Sequence, residues 1–236
     1  MNELEHMKLD TAYSPTHEAM AKRFLIPSAT EHGLLVRARA MTHRVQGNWN
    51  APGTMEMQLS EAAGKLFLEP CTGELRMMCG VDIIFLQEWP QYCAAYMAER
   101  NLQLCFAWDS HVPCLDFVCF FDTLEMRTYL LNLHWKTFCI GQHRTPAGQS
   151  HVTFVNNQFV NVELLKAVTF KWGCFPGDVV CNWPNVSGQQ EMWTDQPFVV
   201  PTSCRAYHAN WTIGVESKTA MLERVLARKD SSLATD

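Results

Sequence analysis

The sequence predicts an α+β fold, in which a mixed, mainly antiparallel sheet packs against a few helices in a single compact domain. Hydrophobic residues make up 47% of the 236 residues and charged residues only 18%, a composition typical of a folded globule. Short strand-like runs recur along the chain, whereas helical periodicity is clear in only three places. The strands and helices do not alternate regularly, which favours α+β over a parallel α/β sheet.

The beginning of the chain differs in pattern from the rest. Residues 1–32 are polar and weakly patterned, so we expect an irregular N-terminal arm with a short helix around residues 17–24. Strand-like segments begin after Gly33, and no later change in composition marks a boundary. Residues 33–236 are therefore predicted to form one α+β domain.

Strands are predicted where short apolar runs contain many β-branched or aromatic residues. These runs cover residues 34–36, 55–59, 66–68, 75–78, 81–86, 102–108, 115–121, 152–160, 167–175, 179–183 and 205–215. Helices are predicted over residues 91–100, from Asp122 or Thr123 to about residue 135, and over residues 216–228. Pro90 should end the strand-like run before it, because proline fixes φ and cannot donate a hydrogen bond.

Charge and cysteine content exclude several classes of protein. The net charge is −5 and no basic block is present, which argues against direct nucleic-acid binding as the main task. No apolar run approaches the roughly 20 residues that cross a bilayer, and no signal-peptide core begins the chain. We therefore expect a protein that neither spans a membrane nor is secreted, with its ten cysteines reduced.

One segment, GVDIIFLQEWP over residues 80–90, combines a strand-like run with an abrupt polar and aromatic end, Gln87-Glu88-Trp89. This order of motifs resembles the adenovirus early-region-four thirty-four-kilodalton family. Further residues in the family's order and spacing are Asn161, Lys166, Val168, Phe170, Phe175, Met221, Leu222, Arg224 and Val225. Composition alone favours a core strand followed by a helix.

The resemblance implies a non-enzymatic viral adaptor that acts in the host nucleus and cytoplasm. Such an adaptor would recruit a cullin ubiquitin ligase through Elongin B and Elongin C. Alone or with a second viral early protein, it would present host nuclear proteins for degradation. The partner surface would include Gln87, Glu88 and exposed aromatic residues, with Trp89, Trp172 and Trp183 as the first candidates.

Elongin docking in this family uses a leucine and a cysteine four residues apart on one helix face. Leu75, Cys79 and Ile83 match the last elements of such a box, and Leu115 with Cys119 forms a second partial match. Both boxes lack the initial small residue. The alternative is that both segments are buried strands, since β-branched residues at 81–84 favour a strand over a helix.

The C-terminal segment is predicted to form an amphipathic helix with Arg224 and Arg228 lying off its apolar stripe. The resemblance implies that the matching helix contributes to nuclear retention and partner binding. The alternative is a terminal helix that packs its stripe on the sheet and leaves its cations in solvent.

Zinc is a candidate cofactor. Cys105, His111, Cys114 and Cys119 supply one imidazole and three thiols within fifteen residues, enough for a tetrahedral site if the turn at Pro113 brings them together. Buried thiols among phenylalanines are more often core residues than ligands, which is the alternative.

Enzyme signatures are sparse, and the sequence predicts no catalytic residues. It contains no Gly-rich phosphate loop, no GxSxG and no HExxH motif. Two alternatives to the adaptor remain open. One is a zinc-stabilised structural or regulatory viral protein without ligase contacts. The other is a thiol-dependent hydrolase with a cysteine and histidine dyad.

Overall fold

The structure, a computed structural model, describes residues 7–41, 63–64, 66–109, 112–140, 157–182, 200–210 and 214–233. The strands in these ranges are β1 (Lys8–Tyr13), β2 (Leu35–Ala40), β3 (Leu75–Cys79), β4 (Ile83–Phe85), β5 (Leu104–Asp109), β6 (Val112–Phe121), β7 (Trp172–Cys174), β8 (Val180–Asn182) and β9 (Ala206–His208). The helices are α1 (Glu18–Met20), α2 (Ile26–Glu31), α3 (Pro90–Glu99), α4 (Leu124–Ile140), α5 (Asn157–Leu165) and α6 (Val215–Leu233), and a π-helical segment (Ala21–Leu25) joins α1 to α2. The predicted α+β class is confirmed.

The larger sheet has six strands in the order β2, β1, β3, β6, β5, β7. β1 runs parallel to β2 and β3, and β7 runs parallel to β5. β6 is antiparallel to both of its neighbours, β3 and β5. The carboxyl ends of β1, β3 and β5 therefore lie at the same edge of the sheet as the beginning of β6. We call this edge the carboxyl edge.

A smaller sheet of three strands, in the order β4, β9, β8, adjoins this edge. β4 follows β3 after a connection of residues 80–82. β9 is antiparallel to β4 and parallel to β8. His208, at the end of β9, pairs with Ile83 on one side and Asn182 on the other. The ends of β8 and β9 thus meet the connection that leaves β3.

Apolar cores cover both faces of the larger sheet and both faces of the smaller sheet. One core contains Trp89 from the loop before α3, and a second contains Phe106 and Phe120. The third joins the smaller sheet to α6, whose predicted apolar stripe is buried at Met221 and Leu222. Each fully buried side chain of this size contributes roughly 1.5–3 kcal/mol. Among the helices described, none is long and apolar enough to cross a membrane.

The N-terminal expectation differs from the structure. Residues 8–13 were expected in an irregular arm, but they form β1, which lies inside the larger sheet between β2 and β3. The sequence pattern does not reveal this strand, because β1 has partners on both sides and is buried almost throughout, even at the polar Asp10 and Thr11. A strand buried on both faces does not show the polar and apolar alternation that marks a half-exposed strand.

Two further expectations were wrong in element type. Residues 157–165 form α5, although residues 152–160 were predicted to be a strand, and residues 66–67 are helical rather than extended. Short apolar runs do not distinguish a buried strand from a buried helix. The predicted strand at residues 55–59 lies outside the described residues, as do residues 152–156 of the strand predicted over residues 152–160.

Gly33 closes α2 with backbone geometry that only glycine adopts easily. Its φ is +92°, Gly33 N donates to Thr30 O (3.2 Å), and Leu34 N donates to Ala29 O (2.9 Å). These two bonds form a Schellman cap, which satisfies carbonyl groups at the end of the helix. The cap turns the chain directly into β2.

We expect Gly33→Ala to lower the free energy of unfolding by about 1–2 kcal/mol, because a side chain strains the left-handed backbone conformation. Chemical denaturation measures the change. Gly177→Ala is the matched control, since an added Cβ there has no atom within 4 Å and its φ lies outside the left-handed range. Equal stability of the two variants would contradict the assignment of a left-handed glycine cap at Gly33.

Candidate functional site

Asp82 lies in the connection between the two sheets, at the carboxyl edge of the larger one. The strand that carries the chain there ends at Cys79, and β4 begins at Ile83. The backbone carbonyl of Asp82 accepts a hydrogen bond from Ala209 N (2.9 Å), which ties the connection to the end of β9. A carboxylate is thereby held, completely buried, where strands from both sheets end.

Lys218 is the cation that faces this carboxylate. It lies in the first turn of α6, and its Nζ donates to Asp82 Oδ2 (2.5 Å) and to Ala209 O (2.6 Å). Burial by itself raises the pKa of Asp82, but Lys218 and His208 outweigh burial and hold that pKa below its ordinary value. Asp82 is therefore an anion at neutral pH.

His208 completes the cluster, and its hydrogen bonds assign one ring proton. The amide nitrogen of Asn182 donates to Trp108 O (2.6 Å), so the amide oxygen of Asn182 faces His208 Nδ1 (2.8 Å). An oxygen accepts only, hence Nδ1 carries a proton. The other ring nitrogen, Nε2, lies 3.3 Å from Asp82 Oδ2. We call Asp82, Lys218, His208 and Asn182 the edge cluster.

His17 approaches the edge cluster from the segment after β1. It is buried, and its Nδ1 is 2.7 Å from Ser14 Oγ. Burial lowers its pKa most, Asp82 raises it and Lys218 lowers it. The imidazole therefore lies within electrostatic range of both charged groups and is neutral at pH 7. The segment that follows β1 thus also brings a polar side chain toward the edge cluster.

A thiol, an imidazole and an amide also meet here, but they do not form a catalytic triad. Cys114 Sγ is 3.9 Å from His208 Nδ1, the same nitrogen that donates to Asn182. A protonated nitrogen cannot accept the proton of the thiol. Burial raises the pKa of Cys114 well above its ordinary value, so the thiol stays neutral and unreactive. The thiol-dependent hydrolase is therefore excluded at this position.

The described residues contain no group of three or more His, Cys, Asp or Glu side chains arranged to hold a metal ion. Of the residue types that ligate zinc in proteins, His, Cys, Asp and Glu, the edge cluster contains two, Asp82 and His208. Protein sites for zinc supply three or four ligands. We therefore derive no chemical step through a metal ion.

The predicted docking residues lie in sheets and not on an exposed helix. Leu75 and Cys79 belong to β3, and Ile83 begins β4; Cys79 and Ile83 are buried. Leu115 and Cys119 are buried in β6. The interpretation of these segments as buried strands holds, and the helical Elongin box is wrong because its side chains cannot enter a groove without unfolding of the sheet.

The segment Gln87-Glu88-Trp89 has a structural role. The side chain of Gln87 donates to Thr202 O (2.7 Å), and Glu88 Oε1 accepts from Gln91 N (2.7 Å) at the start of α3. Trp89 is completely buried, with its ring 5.1 Å from that of Phe117. It cannot supply partner surface.

The remaining predicted partner residues have no common location in the described structure. Trp172 is half-buried against Phe106, and Trp183 lies outside the described residues. Arg224 is half-buried on α6. Arg228 belongs to the same helix, but its side chain lies outside the described part.

The zinc hypothesis stays a prediction, because His111 lies outside the described residues. Cys105 and Cys119 face each other across β5 and β6, whereas Cys114 pairs with Ala107. Burial raises the pKa of Cys105 and of Cys119 above the ordinary value for a thiol.

The fold is similar to that of a known glycosyltransferase. A glycosyltransferase involved in the glycosylation of the major capsid of PBCV-1 matches 92% of this chain and 98% of its own, at 10% identity and a TM-score of 0.55. The glycosyltransferase GlyE of Streptococcus pneumoniae matches 95% of this chain and 64% of its own, at 7% identity and a TM-score of 0.47, too weak to support a conclusion. No family model and no curated protein matches the sequence.

These findings correct the family assignment made from the sequence. The resemblance to the adenovirus early-region-four family is wrong, because 92% of the chain matches the fold of a glycosyltransferase and no family model matches the sequence. The adaptor function and the Elongin, cullin and host-protein partners rested on that resemblance and are wrong with it. The expected absence of catalysis, which rested also on the lack of enzyme motifs, is contradicted by the same similarity to a glycosyltransferase. The alternative function, that of a zinc-stabilised structural or regulatory viral protein, is contradicted by the same similarity to a glycosyltransferase.

The edge cluster was not predicted from the sequence. Asp82 stands inside the segment that drew most attention, and a carboxylate within an otherwise apolar run was an available signal, since charged residues are seldom fully buried without a partner. Lys218 and His208 lie 136 and 126 positions away from it. Nothing local in the sequence indicates that these three side chains meet.

Proposed function

We propose that the protein is a glycosyltransferase that takes a sugar from a phosphate-linked donor, such as a nucleoside diphosphate sugar. The observation that carries the proposal is the Asp82–Lys218 pair at the carboxyl edge, in a fold similar to that of a glycosyltransferase. In open sheets, ligands bind outside the carboxyl ends of the strands. The fold alone does not specify a reaction, so the reaction must be inferred from the residues of the site.

The position of Lys218 suits a phosphate. Its ammonium group lies in the first turn of α6, a helix of 19 residues. The amino end of a helix carries partial positive charge and free N–H groups that favour anions. A diphosphate arriving at this end would compete with Asp82 for the ammonium group.

Transfer would break the bond between the anomeric carbon of the donor and the phosphate oxygen, which keeps the electron pair. The acceptor hydroxyl oxygen would form the new bond to the anomeric carbon and release its proton to water. The positive charge of Lys218 would stabilise the charge that develops on the leaving phosphate. A fixed charge in a buried site is effective because it needs no reorganisation during the reaction.

Before the donor binds, Asp82 and His208 would hold this cation in place. Lys218 has a flexible stem, and two oxygens, Asp82 Oδ2 and the carbonyl oxygen of Ala209, orient its ammonium group. Asn182 in turn orients His208 against Asp82. In the structure described, all of these groups are buried or nearly so, so donor binding must displace the Lys218–Asp82 contact.

The test is to incubate the purified full chain with a panel of nucleoside diphosphate sugars, with and without added Mg²⁺ or Mn²⁺, and to quantify released nucleoside diphosphate. We expect release from at least one donor and its loss in Asp82→Asn. Lys171→Met, which removes an exposed lysine outside the edge cluster, is the control and should keep wild-type activity. A folded chain that neither binds nor cleaves any donor would contradict the proposal.

A further inference from the structure

Trp108 is a large aromatic side chain exposed beside the edge cluster. It is 41% exposed, although its neighbours Ala107 and Asp109 are 0% and 3% exposed. An indole left in water gives up the free energy that burial of a large apolar ring would provide. The other large apolar side chains exposed within the described ranges are leucines, namely Leu35, Leu68, Leu124 and Leu131.

The end of β5 holds this indole in a defined position. Trp108 pairs with Pro113 and Asp109 pairs with Val112, and the pairing register shifts between Phe106 and Ala107. Such a shift re-aims the side chains that follow it. The indole therefore projects from the end of β5, where the backbone is still paired with β6.

Two hydrogen bonds connect this strand end to the edge cluster. The carbonyl of Trp108 accepts from Asn182, and the same amide accepts from His208. One short side chain thus spans the distance between the backbone of Trp108 and the imidazole that faces Asp82. The exposed ring lies at the same sheet edge as the proposed reaction site.

We propose that the Trp108 indole is a stacking surface for the sugar ring of the acceptor. A pyranose presents one face of C–H groups, and these carry partial positive charge that the negative face of an indole attracts. Ligand sites combine such aromatic surfaces with a few polar groups that orient the ligand. The indole is neutral and exposed, so it fits an uncharged acceptor, whereas the charged donor phosphate belongs at Lys218. This inference rests on the proposed glycosyl transfer.

Binding of acceptor can be measured without turnover. Saturation-transfer difference NMR of the full chain with a series of methyl glycosides and disaccharides reports sugar C–H groups that contact the protein. We expect binding by at least one sugar, and a loss of affinity of about ten-fold or more in Trp108→Ala, the effect of removing one stacking aromatic ring. Trp108→Phe should recover part of the affinity.

Leu131→Ala is the matched control, because Leu131 is similarly exposed but lies on α4. Wild-type affinity in Trp108→Ala, or no saccharide binding by the wild-type chain, would overturn the stacking role. The donor-cleavage assay separates this failure from failure of the proposed function. If the wild-type chain cleaves a donor but Trp108→Ala binds sugars as well as the wild type does, the proposed transferase activity is retained. Only the assignment of Trp108 to the acceptor is then wrong.

Discussion

Lys218→Met should abolish donor cleavage and should lower the free energy of unfolding by about 3–5 kcal/mol, the cost of leaving one partner of a buried ion pair alone. Asp82 is completely buried, and its pKa lies below its ordinary value because Lys218 and His208 outweigh burial. Without the ammonium group, the carboxylate must stay charged in a poorly solvating place or take up a proton. Chemical denaturation and the nucleoside diphosphate assay measure the two effects.

The double variant Asp82→Asn with Lys218→Met separates stability from catalysis. It removes both charges, so most of the lost stability should return, since a buried pair can often be replaced by neutral groups at little cost. Donor cleavage should remain absent, because the cation is still missing. If the double variant regained cleavage along with its stability, the pair would be structural only and Lys218 would have no part in the reaction.

A second large effect is expected at Arg76, which lies in a second network of buried charges outside the edge cluster. Its Nη2 donates to Asp10 Oδ2 (2.9 Å), and its Nη1 donates to Asp122 Oδ2 (3.0 Å). Burial raises the pKa of Asp122, but Arg127 and Arg76 lower it to about 2. Arg127 also donates to the carbonyl of Leu66, which ties α4 to the segment before β3.

Arg76→Met should therefore lower the free energy of unfolding by about 3 kcal/mol or more, because two buried carboxylates lose a shared cation. Thermal and chemical denaturation give the change. Lys166→Met is the matched control: its partner Glu163 is exposed, and solvent screens that pair, so little change is expected. Similar stability of the two variants would show that the remaining arginines compensate fully for Arg76.

Local sequence signals were sufficient for several elements. Pro90 marks the start of α3, a position where proline is well tolerated because the first N–H groups of a helix have no partner. The predicted cap at Thr123 is present, since Met126 N donates to Thr123 Oγ1 (3.3 Å) before α4. The stripe at Met221 and Leu222 predicted a helix that packs, as α6 does.

Other elements depend on partners that are distant in sequence. β1 is a strand because β2 and β3 satisfy its backbone on both sides, although its polar residues suggested an arm. Residues 157–165 form a helix that packs on α4 and β6, although the apolar run was compatible with a strand. In both cases tertiary contacts overrode a weak local preference.

The sequence by itself determined that this chain folds as an α+β protein, because composition and periodicity act locally and add along the chain. Only the tertiary structure decided where its chemistry lies. Asp82, His208 and Lys218 come from a connection, a strand end and a helix start, and only the pairing of β4 with β9 and the packing of α6 bring them together. A resemblance built on residue order could not detect a site whose parts meet through folding.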